Sequence, residues 1–600
     1  MSADYNEILQ ANINAGRRQW LDNGRAVGGS TPLSDQSSGS LRLARLWRDL
    51  CFATHPLCHL GSPYLSDAPT PTRLLNVVDP SRPHLEEVST WQPYVALSYC
   101  WGHGEKFLTL RKNIEEHRRG IPINALPATF RDAVYATNQL GYDYVWIDAL
   151  CIIQDDRDDL GKELGHMGNI YRHAILTIRA ASAVSSHAGF FHHKNPLQLH
   201  PCSVRAVVYS DRCNHVLDLH LHGSCSGQDY LESRGWILQE EVLASRAITF
   251  GAQVSWRCME SSAEETYPVL REPPSSASGT DEMRLRLYAP DHAPASMAVA
   301  ARSHFASWQQ MVCGYSVREL SFERDTLRAI SGLADMFSLM HGTTYLAGLW
   351  KENLMEDLTW YVSTNDNRSV SGLDNQLAAP SWSWASVGKV SIGFPQRTFH
   401  RENGTRIRRP TQTVVRHAFC ASKDPINSLA AVDCQGKGGD MRREWSLKLV
   451  GQLRRLVLWR SREYTNWRIN TVIYGDPLSN PSDKFSPDAS SLSIEPRFPG
   501  VLCRPDNPSR MVGEVALDSS TLPITTKQDT SPDGRGMDVF CLSLESNTPV
   551  EPTLILCLIL TPLQPGSLLF RRLGLGFVIE EGWSGGDSEY GGGVVECEIV

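Results

Sequence analysis

Two glutamates stand where a carboxyl group is costly to keep. In LGKELGHMGNIYRHA, Leu160, Glu163, Met167, Ile170, Tyr171 and Ala174 recur at spacings of three and four, so Glu163 lies on the apolar stripe of a helix. In RGWILQEEVLASR (Arg234–Arg246), Trp236, Gln239, Glu240 and Leu243 share a helical face. Desolvating an unpartnered carboxylate raises its pKa, so that it can hold a proton near neutral pH. Glu163 is the first candidate catalytic acid and Glu240 the second. The alternative for either is a structural ion pair or a hydrogen bond to a neighbouring strand.

Such residues act only if the chain gathers them. The segments YVALSYCWG (Tyr94–Gly102), LPATFRDAVYATNQLG (Leu126–Gly141) and YVWIDALCII (Tyr144–Ile153) read as strand, helix, strand. In the middle piece Phe130, Ala133, Val134, Thr137 and Leu140 keep helical spacing, Pro127 suits a first turn and Gly141 suits a C-cap. A third strand, AILTIRAAS (Ala174–Ser182), follows the Glu163 helix. Right-handed crossovers make these strands parallel, so their carboxyl ends share one rim, where open sheets bind ligands. Ser98 and Tyr99 end the first strand and Asp148 the second. With Trp101, Gln154, Arg234, Trp236 and Gln239 they are the expected crevice lining, the alternative for Ser98 and Asp148 being loop and turn capping. The acidic run Asp155, Asp156, Asp158 and Asp159 suits the first turn of a helix, and no metal is needed to explain it.

A chain of 600 residues has room for about four domains and a sizeable core. The texture divides it into a partly helical, loosely packed lead-in (1–90), the strand–helix domain (91–260), a Pro/Ser/Ala-rich linker or insertion (261–300), a mainly helical region (301–380) and a β-rich region (381–600). The fold class is α/β, a parallel sheet with crossover helices, followed by a mixed α+β C-terminal region. Polar stretches at Asp476–Gly500, Asp518–Gly536 and Gly585–Gly593 are expected to be mobile.

A net charge of −8 provides no general field for nucleic acid, and none is expected as a partner. Leu554–Leu560, the longest apolar run, is far shorter than the ~20 residues a membrane span needs and reads as a buried strand. The N-terminus lacks a secretory h-region, so the expected location is cytoplasmic. The 15 cysteines include no C-x-x-C pair and are expected to be reduced, mostly small core residues.

Other signals point to bland roles. GSCSG (Gly223–Gly227) has a nucleophile-elbow form, yet chance explains it better. His187 to Cys225 holds seven His and three Cys without an established ligand spacing, and a surface loop is expected there. Cys51, His55 and Cys58 offer three ligands on adjacent helical turns and no evident fourth, so packing is preferred and no metal is assigned. Cys151 is expected in the core of the second strand. No P-loop motif is present.

Taken in order, YVALSYCWG, LPATFRDAVYATNQLGYDYVWIDALCIIQDD, the E-x-x-x-M-x-x-I-Y-x-x-A run from Glu163, AGFF (Ala188–Phe191) and RGWILQEEVLASRAITFG resemble the fungal heterokaryon incompatibility (HET) domain family. The resemblance covers about Tyr94 to Gly251, roughly a quarter of the chain, and departs from the family pattern at Asp159 and Leu160, where a Trp is usual. CFATHPLC and PTRLLNV upstream, and YSVRELSFERDTLRAISGLA, YLAGLW and PSWSWAS downstream, are similar to the surroundings of such domains. It implies a cytosolic fungal effector of non-self recognition that triggers programmed cell death through self-association or a partner protein. The family is also distantly similar to TIR domains, some of which cleave NAD through a helix-borne glutamate. That implies a TIR-like fold and NAD as a substrate, with no resident cofactor. Glu163 or Glu240 would then stabilise an oxocarbenium-like transition state as nicotinamide leaves. The competing role is a non-catalytic signalling adaptor.

Overall fold

The computed structural model describes residues 33–60, 70–192, 202–209, 214–221, 227–271, 284, 304–362, 379–394, 398–400, 406–408, 412–413, 417–420, 447–460, 499–503, 511–517, 537–546, 553–564, 569–580 and 594–599. They fall into two compact units, Met1–Arg302 with Ala329–Met336, and Ser303–Arg328 with Phe337–Val600.

In chain order the first unit contains α1 (Leu33–Thr54), α2 (Leu57–Leu60), β1 (Arg73–Asn76), β2 (His84–Glu87), β3 (Tyr94–Ser98), α3 (Ile114–Arg119), α4 (Ala128–Gln139) and β4 (Tyr144–Trp146). It continues through α5 (Asp148–Cys151), α6 (Arg157–His173), β5 (Leu176–Arg179), β6 (Cys202–Tyr209), β7 (Asn214–Leu221), α7 (Ile237–Leu243), β8 (Arg246–Phe250), β9 (Val254–Cys258), β10 (Ser262–Glu264) and β11 (Tyr267–Arg271). One nine-stranded sheet has the order β11-β10-β9-β8-β5-β3-β4-β1-β2.

The centre of this sheet is parallel. Val95 of β3 stands against Val145 of β4 and Leu176 of β5, and Ile178 of β5 against Ile248 of β8. All five residues of β3 and all four of β5 are buried, the pattern of parallel strands covered on both faces. Antiparallel partners flank this core: β9 on β8, and β1 then β2 beside β4. The fold is thus α/β, as the apolar runs and crossover helices indicate.

The local signals explain the helices. α4 buries Phe130, Ala133, Val134 and Thr137, begins after Pro127 and is followed by Gly141 at φ +81, a left-handed position that glycine adopts without strain. In the acidic run, Asp156 caps α6 by accepting the N–H groups of Asp158 and Asp159 at 3.1 and 3.3 Å. A Cβ on Gly168 of α6 would stand 2.7 Å from the Cα of Gly332, so two glycines permit a close approach of backbone there.

Three expectations need correction. The lead-in is not loosely packed over its described part: α1 buries Leu41, Ala44, Trp47 and Cys51, and Trp47 Nε1 donates to Pro268 O at 2.7 Å. Its apolar stripe is diluted by the polar SDQSSGS run, which disguises the first turns of the helix. Asp148 and Cys151 belong to the helical turn α5 rather than to a strand, because β4 stops at Trp146. Within the His/Cys-rich stretch, expected as a surface loop, β6 and β7 pair residue for residue from Cys202↔Leu221 to Tyr209↔Asn214. Most of GSCSG, most of the Pro/Ser/Ala-rich linker and nearly all of the three polar stretches expected to be mobile lie outside the described residues.

The second unit opens with α8 (His304–Ser316) and buries Trp308, Trp350, Trp360, Trp382 and Trp384 together with aromatic neighbours. Trp308 and Trp384 both donate through Nε1 to Gly348 O, at 3.1 and 3.0 Å. Gly348 has φ +99, and a Cβ there would meet Trp384 Nε1 at 2.6 Å, so PSWSWAS and YLAGLW form one tryptophan core. A second nine-stranded sheet follows, antiparallel apart from one parallel pairing of Leu569–Glu580 with Val594–Ile599. Its strand Thr553–Pro562 contains the apolar run, with Cys557 to Leu560 buried. No helix among the described residues is long and apolar enough to cross a membrane.

Candidate functional site

The site forms where β3 and β4 end. Beyond β4, Asp148 opens α5 and collects three donors: Tyr99 Oη at 2.8 Å, its own neighbour's N–H (Ala149) at 2.6 Å, both on Oδ1, and Trp101 Nε1 at 2.6 Å on Oδ2. Tyr99 and Trp101 follow β3, so the parallel pairing of β3 with β4 brings all three side chains to one rim. Gln154 Nε2 donates to Asp148 O at 3.1 Å and Arg234 Nη1 to Tyr99 O at 3.2 Å. Burial raises the Asp148 carboxyl, and the hydrogen bonds from Trp101, Tyr99 and Ala149, with the Arg234 charge, oppose the rise. Asp148, Trp101 and Arg234 remain half-buried, whereas the residues behind them are sealed.

Glu240 is one of these, only 6% exposed in α7. Burial pushes its carboxyl up to about 7. The nearby Asp148 carboxyl adds to the rise, while Ser98, Arg234 and Tyr171 counter it. Neither Glu240 Oε2 nor Ser98 Oγ has a hydrogen bond of good geometry. The adjacent Glu241 has a different fate, since its Oε1 accepts from Arg257 Nη1 at 3.1 Å and its Oε2 lies 3.7 Å from Arg179 Nη2. Of two neighbouring acids, one is neutralised by arginines and the other is kept as a buried, titratable carboxyl. Gln239 is 1% exposed and both ends of its amide lack hydrogen-bond partners.

Glu163 is fully buried on α6, as its stripe position indicates, but its carboxylate accepts from Thr72 Oγ1, which also receives Lys162 Nζ at 2.9 Å. Its surroundings are Thr72, just before β1, and the Tyr94 and Cys151 side chains. The structure therefore brings Ser98, Tyr99, Trp101, Asp148, Gln154, Arg234 and Glu240 around one rim, whereas Glu163 meets Thr72, which just precedes the antiparallel β1. Trp236 is half-buried at the start of α7 and packs on the main core. Sequence reasoning missed Tyr171 as a polar neighbour. Its hydroxyl donates to Leu97 O at 2.9 Å, and burial followed by the Glu240 charge raises it well above the ordinary tyrosine value. The signal was present: Tyr171 is a residue of the α6 stripe that carries a polar atom.

No curated protein and no solved structure matches the chain. The family model described as Heterokaryon incompatibility protein (HET) matches residues 94–240. That span opens on the first residue of β3 and closes on Glu240, so every group around the Asp148 rim lies inside it. The residues that build the site are thus those of a heterokaryon incompatibility (HET) domain, and the protein carries that domain at 94–240.

Proposed function

We propose that this protein is an effector of fungal non-self recognition whose HET domain drives cell death by cleaving NAD at the Asp148–Glu240 cluster, once self-association or a partner protein assembles it. The observation that supports this reading is the pair of carboxyls at the carboxyl ends of parallel strands, one of them raised by burial to about 7 despite the Arg234 charge beside it. A carboxyl that titrates near neutrality suits an N-glycosidic cleavage: ionised, it stabilises the oxocarbenium-like ribosyl cation as nicotinamide departs, and it can then accept a proton from the attacking water. Ser98, at the end of β3 beside Glu240, is placed to hydrogen-bond a ribose hydroxyl. The cluster favours Glu240 over Glu163 as the acting group, because Glu240 stands beside Asp148 and Arg234.

The purified full chain, crosslinked to force assembly, is expected to release nicotinamide from NAD. Glu240→Gln should slow that release by ~100-fold or more, followed by chromatography of the products. The near-complete burial of Glu240 and Gln239 favours a second reading, a non-catalytic adaptor whose HET domain only assembles. Absence of nicotinamide release, together with undiminished toxicity of Glu240→Gln in cells, would establish the adaptor.

A further inference from the structure

Cys51 lies in the last turn of α1, Pro56 separates α1 from α2, and Cys58 falls in the short α2. His55 sits in the break between the two helices. Cys258, some two hundred residues later, ends β9 beside them. The three Sγ atoms and a ring nitrogen of His55 all lie within 4.8 Å of one another, and Cys258 Sγ is 3.3 Å from His55 Nδ1. A tetrahedral zinc ion, with bonds of about 2.3 Å to sulfur and 2.0–2.1 Å to nitrogen, holds its ligand atoms roughly 3.5–3.8 Å apart. Small adjustments of side-chain torsions would therefore suffice to close the four groups on an ion.

The surroundings fit a metal centre in two further ways. Three thiolates and a neutral imidazole around Zn²⁺ carry a net charge of about −1, which a buried site must balance. Arg246 stands beside it, 1% exposed, its Nη2 donating to Cys58 O at 2.7 Å and its guanidinium over the Phe52 ring at 4.3 Å. Its other side-chain hydrogen bond goes to Ser245 Oγ, and its Nε has no partner, so its own hydrogen bonds reach only neutral acceptors. The loop is also braced from outside: Leu57 N donates to Glu260 Oε1 at 2.6 Å, and Ser261 Oγ lies 3.2 Å from Cys258 Sγ, placed to orient that sulfur.

We infer that Cys51, His55, Cys58 and Cys258 form a Cys₃His zinc site that clasps the α1–α2 turn to the end of β9. Four protein ligands leave no open position, and Cys51, Cys58 and Cys258 are buried, so the site is structural rather than catalytic. It ties an upstream helix to an antiparallel strand of the sheet, both outside the matched span, and so makes the folding of the HET sheet depend on metal. This inference is independent of the reading of the Asp148 cluster.

Full-length protein purified without chelator is expected to contain about one zinc per chain by elemental mass spectrometry. Replacement by cobalt(II) should give the intense visible bands and thiolate charge-transfer absorption of a tetrahedral sulfur-rich site. Cys258→Ser and His55→Ala should each weaken metal retention by ~10-fold or more, whereas His55→Cys, which restores a four-ligand set, should retain it. Zinc removal by a strong chelator should lower the melting temperature of the wild-type chain, and zinc addition should restore it. A folded wild-type chain that neither carries zinc nor takes it up would overturn the assignment. So would a disulfide between any two of the three cysteines in protein alkylated before purification, or zinc content unchanged in Cys258→Ser combined with Cys51→Ser.

Discussion

Glu240→Gln should make the protein more stable above neutral pH while leaving it close to wild type in acid. The folded state raises the Glu240 carboxyl from 4.5 to about 7, so between these values the folded chain binds more protons than the unfolded one. Stability therefore falls as pH rises through that window, and the full cost of ionising the buried group is present above it. A shift of this size corresponds to about 3 kcal/mol. Glutamine has nearly the same shape and no charge, so it removes that cost. Calorimetric melting of wild type and variant from pH 4 to 8, with the span set by the two pKa values, reads the effect. A difference that stays flat with pH would show that Glu240 is not the titrating group. With the activity assay this gives a diagnostic pair: a residue kept for chemistry at the expense of stability loses turnover and gains resistance to unfolding in one substitution.

Asp148→Ala should act in the opposite direction and at every pH. It strands Tyr99 Oη, Trp101 Nε1 and the Ala149 N–H together, three donors with no replacement acceptor. Each such loss costs about 1–3 kcal/mol when the donor is sealed from water, and the half-exposure of Asp148 and Trp101 admits some solvent, so a total of about 3–4 kcal/mol is expected. Asp148→Asn keeps one carboxamide oxygen for Tyr99 and Ala149 but turns a donor toward the indole of Trp101, and should cost about half as much. Thermal unfolding of the two variants beside wild type checks the order. Equal losses for Ala and Asn would mean that charge, not the three hydrogen bonds, holds the rim together.

The parts of this fold that could be read in advance are those whose cause is local. β3 and β5 announce themselves because strands covered on both faces become unbroken apolar runs, and α4 and α6 because a helix must bury a stripe. From these elements and β4 the shared rim follows by topology, whereas the helical turn that holds Asp148 beyond Trp146 does not. β2 was not legible: His84–Glu87 alternates with a single buried residue and contributes to the sheet only through pairing with β1. Cys258 was equally silent, since its partners Cys51 and His55 lie on the far side of a chain excursion that no spacing rule spans. Choosing between Glu163 and Glu240 also lay beyond the stripe pattern. Both are buried, and what separates them is which distant segments surround them: Asp148 and Arg234 stand near Glu240, whereas Glu163 meets Thr72, almost a hundred residues upstream.

The antiparallel strands on both flanks of the parallel core set where this domain can be cut. A fragment trimmed to the matched span would strip β1 and β2 from β4 and β8 to β11 from β5, leaving two raw ladders of unpaired N–H and C=O groups on apolar, fully covered strands. Such borders recruit other chains into intermolecular sheets. Expressed together with β1, β2 and β8 to β11, the same parallel core keeps both ladders paired within one chain.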